Sequence, residues 1–193
     1  MIHPDAKKVL DFWFDPETIP KQFAEAPEFD QEIRERFLDT WEKGAQGLLV
    51  EWRSTPEGRL AEIIVLDQFS RNLFRRDMRT YAQDKMAIAL AQELILYHDY
   101  TSLPKDQARF ALLPFMHSES LELHTWARPY FEAGDAGTLQ FEDEHTAVLK
   151  RFGRYPYQNQ DMGRENTQEE AAYMTERAGR YYGLEESNQT KDL

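Results

Sequence analysis

Three short stretches of this sequence carry side chains of types and spacings that could do chemistry. The first runs Asp67-Gln68-Phe69-Ser70-Arg71-Asn72-Leu73-Phe74-Arg75-Arg76 and is fed by four aliphatic residues, Ile63 to Leu66. An apolar helix that ends in a carboxylate and several guanidiniums delivers a polar site out of the core. Asp67 and Arg71 stand four residues apart and should meet on one helical face. Arg71 and Arg75 could then clamp an anion while Asn72 reads it and Asp67 holds the arginine in place. The plainer alternative is a buried Asp–Arg pair that ties a helix end to its loop.

The second stretch is Phe115-Met116-His117-Ser118-Glu119-Ser120. A proline-broken helix would place His117 and Glu119 near the start of the next helix, where free N–H groups attract anions. His117 could serve as a general base, with Glu119 setting its tautomer or acting alone. Alternatively, Ser118 caps the helix and His117 bonds a backbone carbonyl. His124, seven residues on, would share the face of His117. His145 lies on the apolar stripe of its own helix, which favours a satisfied core histidine over a ligand contact. The residue order is not His-Glu-x-x-His, so no zinc-protease motif is present. Asp67, His117, Glu119 and His145 could together offer nitrogen and oxygen ligands to a divalent ion. Nothing in the spacing demands it, so no metal is assigned and the cofactor is left unknown.

The third stretch runs Phe152-Gly153-Arg154-Tyr155-Pro156-Tyr157-Gln158-Asn159 and continues to Met162-Gly163-Arg164-Glu165. Glycines, arginines and Asn159 in an irregular loop could close backbone and guanidinium on an anion. A loop stapled by arginine bonds to carbonyls accounts for the same residues. There is no G-x-x-x-x-G-K-[ST] nucleotide loop and no G-x-S-x-G elbow.

Composition narrows the function classes. The 193 residues include no cysteine, which removes disulfides, thiol chemistry and sulfur-ligated zinc. A hydrophobic share of 41% with 13% aromatics reads as globular. The net charge of −12 argues against nucleic-acid binding, which needs surplus Lys and Arg. Arginine is nevertheless concentrated: Ile63–Thr80 and Arg151–Arg164 hold seven of the fifteen. That bias suits an anionic small molecule or an acidic peptide as partner. No run is long and apolar enough for a membrane span, and the first residues do not read as a signal peptide. A cytoplasmic protein is expected, and a homo-oligomer is compatible with the sequence.

The elements that must position these residues read as helices throughout. Pro4 opens the first, with Val9, Leu10, Trp13 and Phe14 as its apolar stripe, and Pro16 and Pro20 close it. Phe29, Ile33, Phe37 and Trp41 mark a second, with Gly44 as the expected stop. Trp13, Trp41 and Trp52 are expected core anchors. Thr55-Pro56 starts a third helix, expected to end near Phe69. Thr80 opens another, with Ala87, Ile88, Ala91, Leu94 and Ile95 inward. Ser102-Leu103-Pro104 introduces Lys105 to Phe115, which Pro114 must kink or end. Ser118 or Ser120 caps the next, which Pro129 should bend and Gly134 should end. Phe141, His145, Val148, Leu149 and Phe152 give the clearest helical spacing, closed by Gly153. Thr167-Gln168-Glu169-Glu170 spells a capping box. No segment alternates with period two, so the fold class is all-α, an array of about eight antiparallel helices. One domain over 1–182 and a polar, frayed tail over 183–193 are expected.

The motifs resemble those of a bacterial family known as domain-of-unknown-function family 924. The resemblance rests on Val9-Leu10-Asp11-Phe12-Trp13-Phe14, on Leu66 to Arg75, on Leu113-Pro114-Phe115-Met116-His117-Ser118-Glu119 and on Arg151-Phe152-Gly153-Arg154-Tyr155-Pro156. It extends from about Val9 to Met174. It implies a tetratricopeptide-like helical fold and no particular reaction. It also implies special roles for Asp67, Gln68, Arg71, Asn72, Arg75, His117, Ser118, Glu119, His145, Gly153, Arg154, Pro156, Asn159, Gly163 and Arg164. The chain departs from the family pattern at Ser70, where proline is usual, at Tyr157-Gln158, where His-Arg is usual, and at Pro129.

Taken together, His117, Glu119 and Asp67 are the candidate catalytic residues. Arg71, Asn72, Arg75, His145, Arg154, Asn159 and Arg164 are the candidate ligand contacts. The leading expectation is a binding module with an Arg/His-lined groove. The alternative is a hydrolase or transferase acting on a phosphorylated or carboxylated small molecule. A purely structural role for the polar motifs is the third reading.

Overall fold

In a computed structural model, residues 1–177 are described, and they are all-α, with no strand among them. The chain divides into two compact units, one spanning Met1–His117 and the other beginning at Ser118. The tail expected from residue 183 lies outside the described residues.

The first unit contains α1 (Pro4–Trp13), α2 (Pro27–Ala45), α3 (Pro56–Ile64), α4 (Ser70–Leu73), α5 (Asp84–Tyr97), α6 (Lys105–Ala108) and α7 (Leu113–Met116). Proline stands in the first turn of α1, α2 and α3, where its missing N–H costs nothing. Thr55 caps α3 by accepting the Gly58 N–H at 3.1 Å. The centre of the unit is aromatic. Phe69 meets Phe12, Trp13 and Phe37 with ring centroids 5.1–6.3 Å apart. Ile63, Ile64, Val65 and Leu66 are all fully buried beside it. Each such side chain contributes roughly 1.5–3 kcal/mol by leaving water.

Several boundaries differ from the sequence expectation. The helix begun at Pro56 does not end near Phe69. It passes through a π-helical turn, Val65–Phe69, into α4 and stops at Phe74. Gly44 is inside α2 rather than at its end. A Cβ there would come within 3.2–3.5 Å of Leu66, Leu49 and Val65, so this glycine permits close packing. The left-handed residue after α2 is Gly47, with φ of 74°. Thr80 sits in a 3₁₀ turn, Met78–Tyr81, that Asp77 caps, and α5 starts only at Asp84. The segment expected as one helix from Lys105 breaks into α6, a 3₁₀ turn and α7. Pro114 falls in the first turn of α7, where it begins a helix and does not kink one. Trp13 and Trp52 are core residues, but Trp41 is only half-buried.

The second unit contains α8 (Leu121–Ala133), α9 (Ala136–Phe152) and α10 (Gln168–Glu176). Ser120, rather than Ser118, caps α8, which runs through Pro129 to Gly134. Asp135 caps α9 and Gly153 closes it at φ of 70°. Thr167 and Glu170 form the expected capping box of α10. Val148, Leu149, Tyr155 and Tyr173 are the core, with Phe152, Tyr157 and Met174 against them.

Candidate functional site

Asp67 owes its position to the π turn. An i→i+5 turn takes an extra residue into a helix and displaces the side chains within it, and such turns occur often at functional sites. Asp67 is the middle residue of this one and is almost wholly buried. Its Oδ1 lies 2.7 Å from Nδ1 of His117, the C-cap of α7. The same oxygen lies 3.0 Å from Nη1 of Arg71, and Gln68 donates its amide to Oδ2. Asp67 is therefore the carboxylate against the His117 ring, while the oxygens of Glu119 go to Arg164 and Tyr155.

Burial alone would push the Asp67 carboxyl up. The Arg71 guanidinium, the His117 ring and the hydrogen bonds from His117 and Gln68 outweigh it and hold the group down at about 2. An ionised Asp67 can only accept, so Nδ1 of His117 donates, and in the neutral ring Nε2 keeps its lone pair. The imidazole keeps 13% of its surface exposed while its carboxylate partner keeps 1%. A buried carboxylate behind a partly exposed imidazole is the arrangement that orients a general base and stabilises it once protonated.

Arg71 has a second carboxylate. Its Nη1 lies 3.0 Å from Oδ1 of Asp84, and its Nη2 lies 3.2 Å from Oδ2. It also donates to the Asp67 carbonyl at 2.9 Å. Burial pushes the Asp84 carboxyl up, against the pull of Arg71. Arg75 and Asn72 form a separate cluster. Asn72 donates to Asp30 at 2.7 Å, while Arg75 grips the same carboxylate and reaches the Ala24 carbonyl at 3.0 Å. Neither contacts Asp67 or His117 directly. Asp30 and Asp84 were missed by sequence reasoning. Asp30 follows Phe29 at the edge of the α2 stripe, a weak signal. Asp84 lies thirteen residues beyond Arg71, and no local spacing links the two.

In the second unit, Glu119 accepts both arms of Arg164 at 2.7 and 2.8 Å, together with the Tyr155 N–H at 2.7 Å. A carboxylate with three such donors is committed to holding the loop after α9. Arg154 likewise grips Glu170 at 2.7 and 2.8 Å and donates to the Glu165 carbonyl. The Glu170 carboxyl is held down at about 2, chiefly by that bond. Asn159 is fully buried and its side chain donates to Asn166 at 2.7 Å, while its backbone carbonyl accepts the Arg164 backbone N–H at 2.7 Å. The loop is held chiefly through the Glu119 and Glu170 carboxylates, and the arginine-to-carbonyl bonds of the stapled-loop alternative are those of Arg154 to Glu165 and Arg164 to Tyr155.

His145 is buried, bonds the Phe141 carbonyl through Nδ1 at 2.7 Å and meets the Tyr155 ring edge-on. His124 does not share a helix with His117, since it stands inside α8. Its Nδ1 lies 2.7 Å from Glu142 and its Nε2 lies 2.9 Å from the Ser118 carbonyl. Glu142, also missed, is the acid one turn before Thr146, and Thr146 bonds it too. Among the described residues, no group of three or more acids, histidines or cysteines is placed to hold a metal ion. Among them, too, no helix is long and apolar enough to cross a membrane.

A family model described as a bacterial protein of unknown function (DUF924) matches residues 9–178. A solved structure of a protein of unknown function from Agrobacterium tumefaciens is similar at 33% sequence identity, with a TM-score of 0.83. The match covers 89% of this chain and 97% of that one. A search of curated proteins found no match.

Proposed function

This chain belongs to the bacterial family DUF924, and we propose that it is a hydrolase or transferase in which His117, backed by Asp67, is the general base. One observation carries the reading. Nδ1 of a partly exposed imidazole is 2.7 Å from a buried carboxylate held ionised. A general base so placed accelerates proton abstraction by about 10²–10⁴-fold. Glu119 is not part of this base, because its oxygens are taken by Arg164 and Tyr155. The helices around the site, α1 on α3 and α3 on α5, are read as a tetratricopeptide-like stack.

The test is a screen of phosphate, ester, amide and nucleotide substrates with wild type and His117→Ala, the fold of each checked by circular dichroism. Turnover that disappears in His117→Ala supports the reading. Turnover equal in both proteins, or none across the screen, counts against it.

A second reading keeps the anion groove, for a small anion or an acidic peptide. The residual exposure of Arg75, 32% of its side chain, favours it. It requires a ligand carboxylate or phosphate to displace Asp30 from that guanidinium. Stabilisation by phosphate or an acidic peptide that vanishes in Arg75→Ala would support it over the base.

A further inference from the structure

We propose that the chain pairs with a second copy of itself, through a socket beside the C-terminal end of α2 and the leucine on its lip. The socket holds about 160 Å³, and His3, Leu49 and Trp52 are among the residues that line it, with Leu48. Leu49 and Trp52 are buried, and His3 stacks on Trp52 with ring centroids 5.9 Å apart. The floor is therefore largely apolar and already packed. Small-molecule sites usually enclose roughly 300–1,000 Å³, and this hollow falls short of that. It is of a size for one aliphatic side chain.

Leu48 is the side chain that fits. The helix α2 ends in a Schellman motif, in which the Leu48 N–H donates to the Lys43 carbonyl at 2.9 Å and the Gly47 N–H to the Gly44 carbonyl at 2.8 Å. Gly47 supplies the left-handed residue that this motif requires, with φ of 74°. The residue after that glycine usually packs against an apolar side chain in the last helical turn. Here the positions it would meet are Glu42 and Lys43, both charged. Leu48 finds no apolar partner at those positions and keeps 62% of its surface exposed. Val50, between Leu49 and Glu51 of the lining, is 59% exposed. One surface thus carries both an exposed aliphatic side chain and a hollow to receive one. A two-fold axis uses each of them twice, with the Leu48 of either copy over the Trp52 of the other, and the assembly closes at two.

Charge on the rim selects a second copy over an unrelated segment. Lys43 and Glu51 both border the socket, and among the described residues neither has an ion-pair partner. Under the two-fold, Lys43 of one copy meets Glu51 of the other, and the contact occurs twice. A purely acidic or purely basic peptide would satisfy one of these charges and oppose the second. With a net charge of −12 on each chain, two copies repel at long range, and this local pairing of opposite signs is what lets the two faces meet. One plug on each side makes a small interface, so the pair forms at high protein concentration and dissociates on dilution.

The experiment is sedimentation equilibrium of the full chain from micromolar to near-millimolar concentration. The expected mass rises from one chain to two and stops there. Leu48→Asp, its fold checked by circular dichroism, should weaken the pairing by about tenfold or more. Lys43→Glu and Glu51→Lys should each weaken it as well. An equimolar mixture of those two variants should restore it, because the mixed pair again sets unlike charges together at both contacts. A chain that stays monomeric throughout overturns the proposal, even where its socket takes up a leucine-bearing peptide. A mass that climbs past two copies, pairing that Leu48→Asp leaves unchanged, or a mixture that associates no more tightly than its components would each overturn it too.

Discussion

The Trp41 indole N–H donates to the Ser70 hydroxyl at 2.8 Å, and that hydroxyl in turn donates to the Leu66 carbonyl. The relay pins α2 to the point where the π turn gives way to α4. It also gives Ser70 a task, since its hydroxyl both accepts and donates. Ser70→Ala leaves the indole and the carbonyl without this partner. A loss of ~1 kcal/mol is expected, measured by denaturant unfolding, with a faster exchange of amides across the π turn.

Acid should weaken the protein through Asp67. Its carboxyl is lower folded than unfolded, so the unfolded chain binds the proton more tightly. The resulting stability is present above pH ~4 and is lost as pH falls towards 2. The difference corresponds to ~2 kcal/mol. Melting temperature against pH should show this slope in wild type and lose most of it in Asp67→Asn. Asp84 has the opposite sign. Its raised carboxyl favours the folded state at low pH, and that favour fades as pH rises through its folded value. Asp84→Asn should remove that second component.

Glu119→Ala should loosen the loop after α9 without touching the His117 base. The pair with Arg164 is partly buried, with 22% and 27% of the two side chains exposed, and Tyr155 loses the acceptor of its N–H. A cost of about 1–3 kcal/mol is expected, because Arg164 is left without its carboxylate. Hydrogen exchange at the Tyr155 amide should accelerate, while the NMR signals of the His117 ring stay in place.

Gly58→Ala tests the start of α3. A Cβ at that position would come 1.9 Å from the Trp52 carbonyl oxygen, a backbone atom that cannot swing aside. The helix would have to move off the Val50–Ser54 turn. A penalty of about 1–3 kcal/mol or more is expected, with a fall in Tm of several degrees in a thermal melt.

The helices were legible where periodicity and caps coincided. Phe141 to Phe152 with Gly153 and the Thr167–Glu170 box are both present in the structure. Gly44 was misread because glycine both ends helices and admits close neighbours, and a single sequence does not separate the two. The aliphatic run Ile63 to Leu66 is buried as its composition suggests, but Asp67 behind it stays buried too and does not emerge from the core. The pairing was less legible. The partner of His117 lies fifty residues back and that of Arg75 forty-five, so no local spacing encodes them. The arginines looked available because the acids that occupy them, Asp30, Asp84, Glu119 and Glu170, are scattered among thirty-five acidic residues.

The π turn at Val65–Phe69 gives this part of the chain slack in its length. It holds one residue more than a plain α-helix would need. Deleting a single residue there lets the helix close into uniform α geometry with the downstream side chains near their present angle, whereas a deletion that the turn does not absorb rotates everything beyond it by about 100°. A deletion of the second kind, within Pro56–Ile64, would take the buried aliphatic run out of register with the aromatic core around Phe69. The turn is thus a length reserve, and losing one residue from it should cost far less than losing one from the helix that precedes it.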